Sequence, residues 1–190
     1  MPDDAAILRV PVTARDHAQG PEDAPVTLVE YGDYECPHCG RAYPIVQEVQ
    51  RRLGTALRFV FRNFPLSEMH PHAALAAEAA EAAAEQGRFW PMHDLLFENQ
   101  RQLGEASLVR YATAIGIDHE RVARELNEHT HRPRVRSDFT GGVRSGVNGT
   151  PTFFIDGVRY DGDWDADSLT AALQAARDSR VQSTSRRTSG

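Results

Sequence analysis

The stretch VEYGDYECPHCGRAYP, residues Val29 to Pro44, carries the only two cysteines of the chain, Cys36 and Cys39, with Pro37 and His38 between them. The run PVTLVEYG (Pro25–Gly32) leads into it. It is bounded by a proline and a glycine and reads as a buried strand. Beyond it, Ile45, Val49 and Leu53 recur every fourth residue up to Gly54, so a helix is predicted from about Pro37 to Leu53. The two thiols therefore sit where a strand passes the chain to a helix. The free N–H groups and the dipole of a helix start stabilise an anion, which makes Cys36 the candidate thiolate. Cys39 lies one turn on, on the same face, within disulfide reach. Pro37 suits the first helical position because no N–H is needed there. His38 can add a donor or a positive charge beside the Cys36 sulfur.

A lone C-x-x-C is also half a zinc site. Its other ligands would have to be His70 and His72, or His129 and His131, and neither pair has the finger spacing. Two cysteines are too few for a disulfide framework. A second stretch, NGTPTFFIDG (Asn148–Gly157), favours redox use. Thr150-Pro151 precedes a strand, where proline is tolerated only at the start or the edge, and X-Pro bonds can be cis. Gly146 and Gly149 let that loop bend sharply.

The rest of the chain supplies the frame. ALRFVFRNF (Ala56–Phe64) is a second strand, and the crossover before it is long enough for a parallel βαβ unit. Ile7–Val10 can form a short strand. His72–Gly87 is alanine-rich and helix-forming, and Arg88–Gln100 follows as a second helix. Ser107 is expected to cap LVRYATAIG and Asp118 to cap HERVARELNEH, with a further helix over Arg132–Ser145. Asp156-Gly157 is a hairpin turn, and Asp165–Arg177 a closing amphipathic helix. The expected organisation is one α/β domain split by a helical insertion. Residues 1–65 and 147–178 form its two halves, 66–146 the insertion, and 179–190 a disordered tail.

Composition narrows the function. The chain has 190 residues, 41% of them hydrophobic, and a net charge of −6 with acids and bases interspersed. That pattern leaves no basic footprint for nucleic acid. No run of 18 apolar residues encodes a membrane helix, and the first residues lack a signal-peptide run, so the expected place is the cytoplasm unless a leader has been removed.

With these motifs the chain resembles the DsbA family of thiol–disulfide oxidoreductases, in its bacterial stand-alone subgroup. DAPVTLVEYGDYECPHC, FVFRNFPL, GRFWPMHDLLFENQ and GVNGTPTFFIDG appear in family order over roughly residues 20–175. Similar modules also occur fused to membrane antiporters, and this chain is expected to stand alone. The resemblance implies a thioredoxin-like fold with an inserted helical domain. It makes Cys36 the attacking and Cys39 the resolving cysteine. Pro151 becomes the cis proline facing the disulfide, and Thr150 presents backbone to an extended substrate. Pro44 would kink the active-site helix. Glu30 resembles the buried acid that relays a proton to Cys39. Read from the strand alone, it could equally be an outward-facing edge residue. Phe89, Trp90 and Met92 read as insertion core.

The implied activity is disulfide exchange with protein or small-thiol substrates, without a cofactor or metal, recycled by an unidentified redox partner. In a reducing cytosol such a protein would rest reduced and act as a reductase or exchange partner, becoming an oxidant only under stress. A redox-sensitive chaperone on the same fold, or a glutathione-linked transferase or isomerase, are the alternatives. Cys39 argues against the last.

Overall fold

The computed structural model describes residues 6–188. Residues 1–5 of the expected N-terminal half and the last two residues of the expected tail lie outside it.

Five strands form one sheet in the order β1-β3-β2-β4-β5. They are β1 (His17–Gln19), β2 (Val26–Gly32), β3 (Leu57–Asn63), β4 (Thr152–Ile155) and β5 (Val158–Tyr160). β2 and β3 run parallel, joined across the helix α1 (Pro37–Leu53), and every other pairing is antiparallel. α2 (Ala73–Ala84), α3 (Phe89–Glu98), α4 (Glu105–Ala114), α5 (His119–Asn127) and α6 (Arg132–Arg144) follow β3. α7 (Ala166–Thr188) closes the chain.

β2 and β3 are central and buried on both faces, as their near-continuous apolar sequences require. On one face Val26, Leu28, Phe59, Phe61, Phe153 and Ile155 join α1, α7 and the α2–α5 helices in the larger core. On the other, Val29, Tyr31, Val60 and Phe154 meet Phe64, Val147 and Phe139 of α6. Full burial of a side chain such as Phe61 contributes about 2–3 kcal/mol. Glu30 is in register with Phe61 on β3 and Phe153 on β4, so its carboxyl enters the larger core rather than an edge.

Three expectations are corrected. Ile7 makes only an isolated bridge to Val158, while the N-terminal strand is β1, a short polar edge piece. Gly104, not Ser107, caps α4, which starts three residues earlier than its apolar pattern suggests. Ser107 instead receives a hydrogen bond from Arg110. The final helix runs on to Thr188 through most of the expected disordered tail, since neither proline nor glycine interrupts DSRVQSTSRRT. Asp118 does cap α5, accepting from the Arg121 N–H at 2.9 Å. Asp156 and Gly157 turn the β4–β5 hairpin, both with positive φ, where glycine carries no steric cost.

Candidate active site

Sheet topology brings the two motifs together. β2 ends at Gly32 and leads into Asp33–Cys36, while β4 begins at Thr152, directly opposite Tyr31. Thr150 and Pro151, joined by a cis bond, therefore lie over the start of α1. The Cys36 thiol donates to the Thr150 carbonyl at 3.5 Å. Both cysteines are free thiols, Cys36 3% exposed and Cys39 fully buried.

The two thiols lie one helical turn apart but differ sharply in acidity. Cys36, the N-cap residue of α1, is drawn down to about 5. The Cys39 thiol beside it is the largest stabiliser of its thiolate. Thr150 and the backbone N–H groups of Cys39 and His38 also favour the charged form, against the cost of burial. Cys39 goes the other way. Burial pushes it well above an ordinary thiol, and the neighbouring Cys36 and Glu30 charges oppose its ionisation further. The Asp33 N–H donates to the Cys39 sulfur at 3.5 Å.

Glu30 lies under this pair. It is 3% exposed, and its Oε1 finds no hydrogen-bond partner among the protein groups. Burial alone lifts its carboxyl to about 8, so it holds a proton at neutral pH. It lines a cavity of about 420 Å³ that also touches His93, Asp94, Gln47 and Gln50. His93 is buried among Tyr34, Phe61, Trp90 and Phe97, bonds Tyr34 Oη at 3.1 Å, and is held neutral by burial, its value near 3.

The loop before Cys36 is clamped from outside the motif. Asp33 Oδ1 accepts from the backbone N–H groups of Glu35 at 2.8 Å and Cys36 at 3.2 Å, an Asx turn. Its other oxygen accepts from Leu66 N and bonds His70 Nδ1, both at 2.8 Å. Glu35 binds His72 in the same way. From the end of α3, Gln100 Nε2 donates to the carbonyls of Tyr34 and Cys36, both at 2.9 Å. Gly40 leaves room for that amide, because a Cβ there would lie 2.1 Å from Gln100 Oε1.

The structure gathers Cys36, Cys39, Glu30, Thr150 and Pro151 in one place. Pro37 and His38 are exposed. The His38 ring accepts from Arg41 Nη2 at 2.7 Å, and it is the backbone N–H of His38 that favours the Cys36 thiolate. Pro44 sits inside α1. Phe89 and Met92 are buried, whereas Trp90 is only partly so and lines the Glu30 cavity. The histidines weighed as zinc ligands each face a carboxylate instead: His70 with Asp33, His72 with Glu35, His129 with Glu78 and His131 with Glu125. Sequence reasoning missed Asp33, His70 and Gln100 as site residues. For Asp33 a signal existed, since an Asp three residues before a helix start marks an Asx turn.

A family model described as thioredoxin matches residues 13–175. A curated relative, the Na(+)/H(+) antiporter NhaA 3 of Salinispora tropica, is 48% identical over 89% of this chain, but the match covers only 26% of the antiporter's length. Among the described residues no helix is long and apolar enough to cross a membrane. BdbD from Bacillus subtilis, in its oxidised crystal form, superposes with a TM-score of 0.79 at 26% identity, over 86% of this chain and 93% of its own. A thioredoxin-like oxidoreductase from Silicibacter pomeroyi gives 0.77 at 28% identity, over 87% of this chain and 94% of its own. The alpha-DsbA1 protein of Wolbachia pipientis gives 0.78 over 93% and 98%, at 17% identity a likeness of fold. The chain belongs to the thioredoxin family and carries the fold of its DsbA-like thiol–disulfide oxidoreductases.

Proposed function

We propose that the protein exchanges disulfides with thiols of protein or peptide substrates, with Cys36 as the attacking and Cys39 as the resolving sulfur. The observation that carries this is the split between the two thiols, Cys36 drawn down to about 5 and Cys39 pushed well above 9. At neutral pH one sulfur is a thiolate and the other keeps its proton. In the reducing direction the Cys36 thiolate attacks a substrate disulfide, forms a mixed disulfide and expels one substrate thiolate, which takes a proton. Cys39 then loses its proton and attacks Cys36. The second substrate sulfur leaves with the bonding electron pair and is protonated, and the Cys36–Cys39 disulfide remains. The oxidising direction is the reverse. No cofactor takes part in either.

Glu30 serves the second step. It is the ionisable group beside Cys39 whose value lies near neutrality, so once it has released its own proton it can, as the carboxylate, accept the Cys39 proton and return it. Thr150 and Pro151 face the mixed disulfide, with the Thr150 carbonyl 3.5 Å from the Cys36 sulfur. The compartment sets the direction. A lowered Cys36 value favours the dithiol form and so shifts the reduction potential toward the oxidising side. In a reducing cytoplasm the protein would rest as the dithiol and work as a reductase, with a partner there to recycle it. The sodium–proton exchange in the antiporter relative's name lies outside this reading.

Insulin reduction and oxidative refolding of a reduced substrate, each followed with wild type and Cys36→Ala, test the proposal. Activity in at least one assay that the substitution abolishes supports it. Wild-type protein inert in both overturns it.

A further inference from the structure

We propose that His70, held by Asp33, is a positioning residue whose positive charge is coupled to the redox state of Cys36. The inference rests on Cys36 being the working thiolate and concerns residues outside the C-P-H-C motif.

Asp33 stands between the two groups it joins. One oxygen holds the Cys36 N–H and the other holds His70 Nδ1 at 2.8 Å. Asp33 is 1% exposed and the His70 side chain 17%, so little water screens the pair. A carboxylate that accepts from the Cys36 backbone N–H at 3.2 Å would by itself work against a negative charge on that residue. A protonated His70 cancels that charge while leaving the Asp33 hydrogen bonds to the loop in place. His38, the histidine inside the motif, turns its ring to Arg41 and leaves this task open.

The coupling runs both ways. Burial disfavours the His70 cation, but the Asp33 hydrogen bond and charge outweigh it, and the Cys36 and Glu35 charges raise it further. His72 is the other titratable group on the His70–His72 segment, and Glu35 holds it. Disulfide formation removes the thiolate, and with it one of the charges that keep His70 protonated. Reduced protein should therefore hold its His70 proton to higher pH than oxidised protein does. His70 would act as a proton carrier linked to the redox step, on the mouth side of the site, where Glu30 acts from below.

The test is the titration of the His70 imidazole by NMR in reduced and oxidised full-length protein, alongside the Cys36 thiolate titration in wild type and two variants. His70→Asn keeps a donor for Asp33 but no charge, and His70→Lys keeps the charge. The expected result is a higher His70 value in the reduced state and a Cys36 value about one unit higher in His70→Asn. That tenfold loss of thiolate preference corresponds to about 30 mV toward the reducing side. Lys should restore most of it. Equal His70 values in both redox states, or a folded His70→Asn protein with wild-type Cys36 titration, overturn the inference and leave the exchange activity standing. A wild-type Cys36 that titrates as an ordinary thiol would instead remove the reading on which the inference rests.

Discussion

The mouth and the floor of the redox site lie one helical turn apart and are built from opposite physics. At the mouth, Cys36 caps α1 beside the Cys39 thiol, Thr150 and the backbone N–H groups of Cys39 and His38, which together favour its charged form. On the floor, Cys39 and Glu30 are buried with few polar partners, so both keep their protons. Chemically identical thiols are thus separated by their surroundings alone. The difference teaches that a C-x-x-C pair becomes directional when one sulfur is solvated by fixed donors and the other by apolar packing.

Removing the sulfurs breaks this contrast most completely. Cys36→Ala should abolish exchange, and Cys39→Ala should keep the attack but lose the release. Mixed disulfides with substrate, visible on non-reducing gels, are expected to accumulate only in the second. Accumulation in Cys36→Ala would reverse the assigned roles.

Glu30→Gln breaks the floor while leaving the mouth intact. Loss of the proton acceptor should slow resolution by on the order of 10²-fold, with the Cys36 titration little changed. Stability should respond as well. The Glu30 carboxyl has a value near 8 in the folded chain against 4.5 for an ordinary glutamate. Between those two values the folded state binds more protons than the unfolded one, so this residue's contribution to stability falls as pH rises. At about 1.36 kcal/mol per unit, it amounts to a few kcal/mol lost between pH 5 and 8. Urea unfolding at pH 5 and pH 8 should show a smaller pH-dependent loss in Glu30→Gln than in wild type. Equal slopes would mean that the carboxyl is not held neutral by burial.

Gly40→Ala sharpens the comparison from the side. Alanine in a helix interior usually gains about 0.5–1 kcal/mol over glycine. Here the new Cβ displaces Gln100 and its two hydrogen bonds to the Tyr34 and Cys36 carbonyls, worth about 0.5–1.5 kcal/mol each. A net loss of about 1 kcal/mol is expected from chemical denaturation, with a lowered exchange rate. A stabilised variant with wild-type exchange would show that the Gln100 clamp does not matter.

The smallest effect serves as a remote control. Asp118→Ala removes the α5 cap and should lower stability slightly with no change in either thiol. A shifted Cys36 titration in that variant would show that the site responds to general loosening rather than to its own donors.

Much of this arrangement was legible in the sequence. The β-branched run before Cys36 and the four-residue apolar spacing after it place the strand, the helix and the thiol between them. Asp156-Gly157 marks the hairpin. What spacing does not encode is which side chains return to the site from elsewhere. Glu30 stands in an apolar strand, and only pairing with β3 on one side and β4 on the other makes it central rather than an edge residue. His70 reads in the chain as a possible metal ligand, and only the fold puts it on Asp33. His38 is the converse case. It sits between the cysteines, yet its ring faces Arg41, a choice made by side-chain packing on the exposed turn. β1 escaped because a three-residue edge strand with one apolar residue, Ala18, is too short to show an alternation.

The most direct test of the central contrast is pH-resolved alkylation of the reduced wild-type protein, with Cys36 and Cys39 followed separately by mass spectrometry. Cys36 is expected to reach half its limiting reactivity near pH 5 while Cys39 stays protected through pH 9. Both thiols titrating together between pH 8 and 9, or Cys39 reacting first, would contradict it.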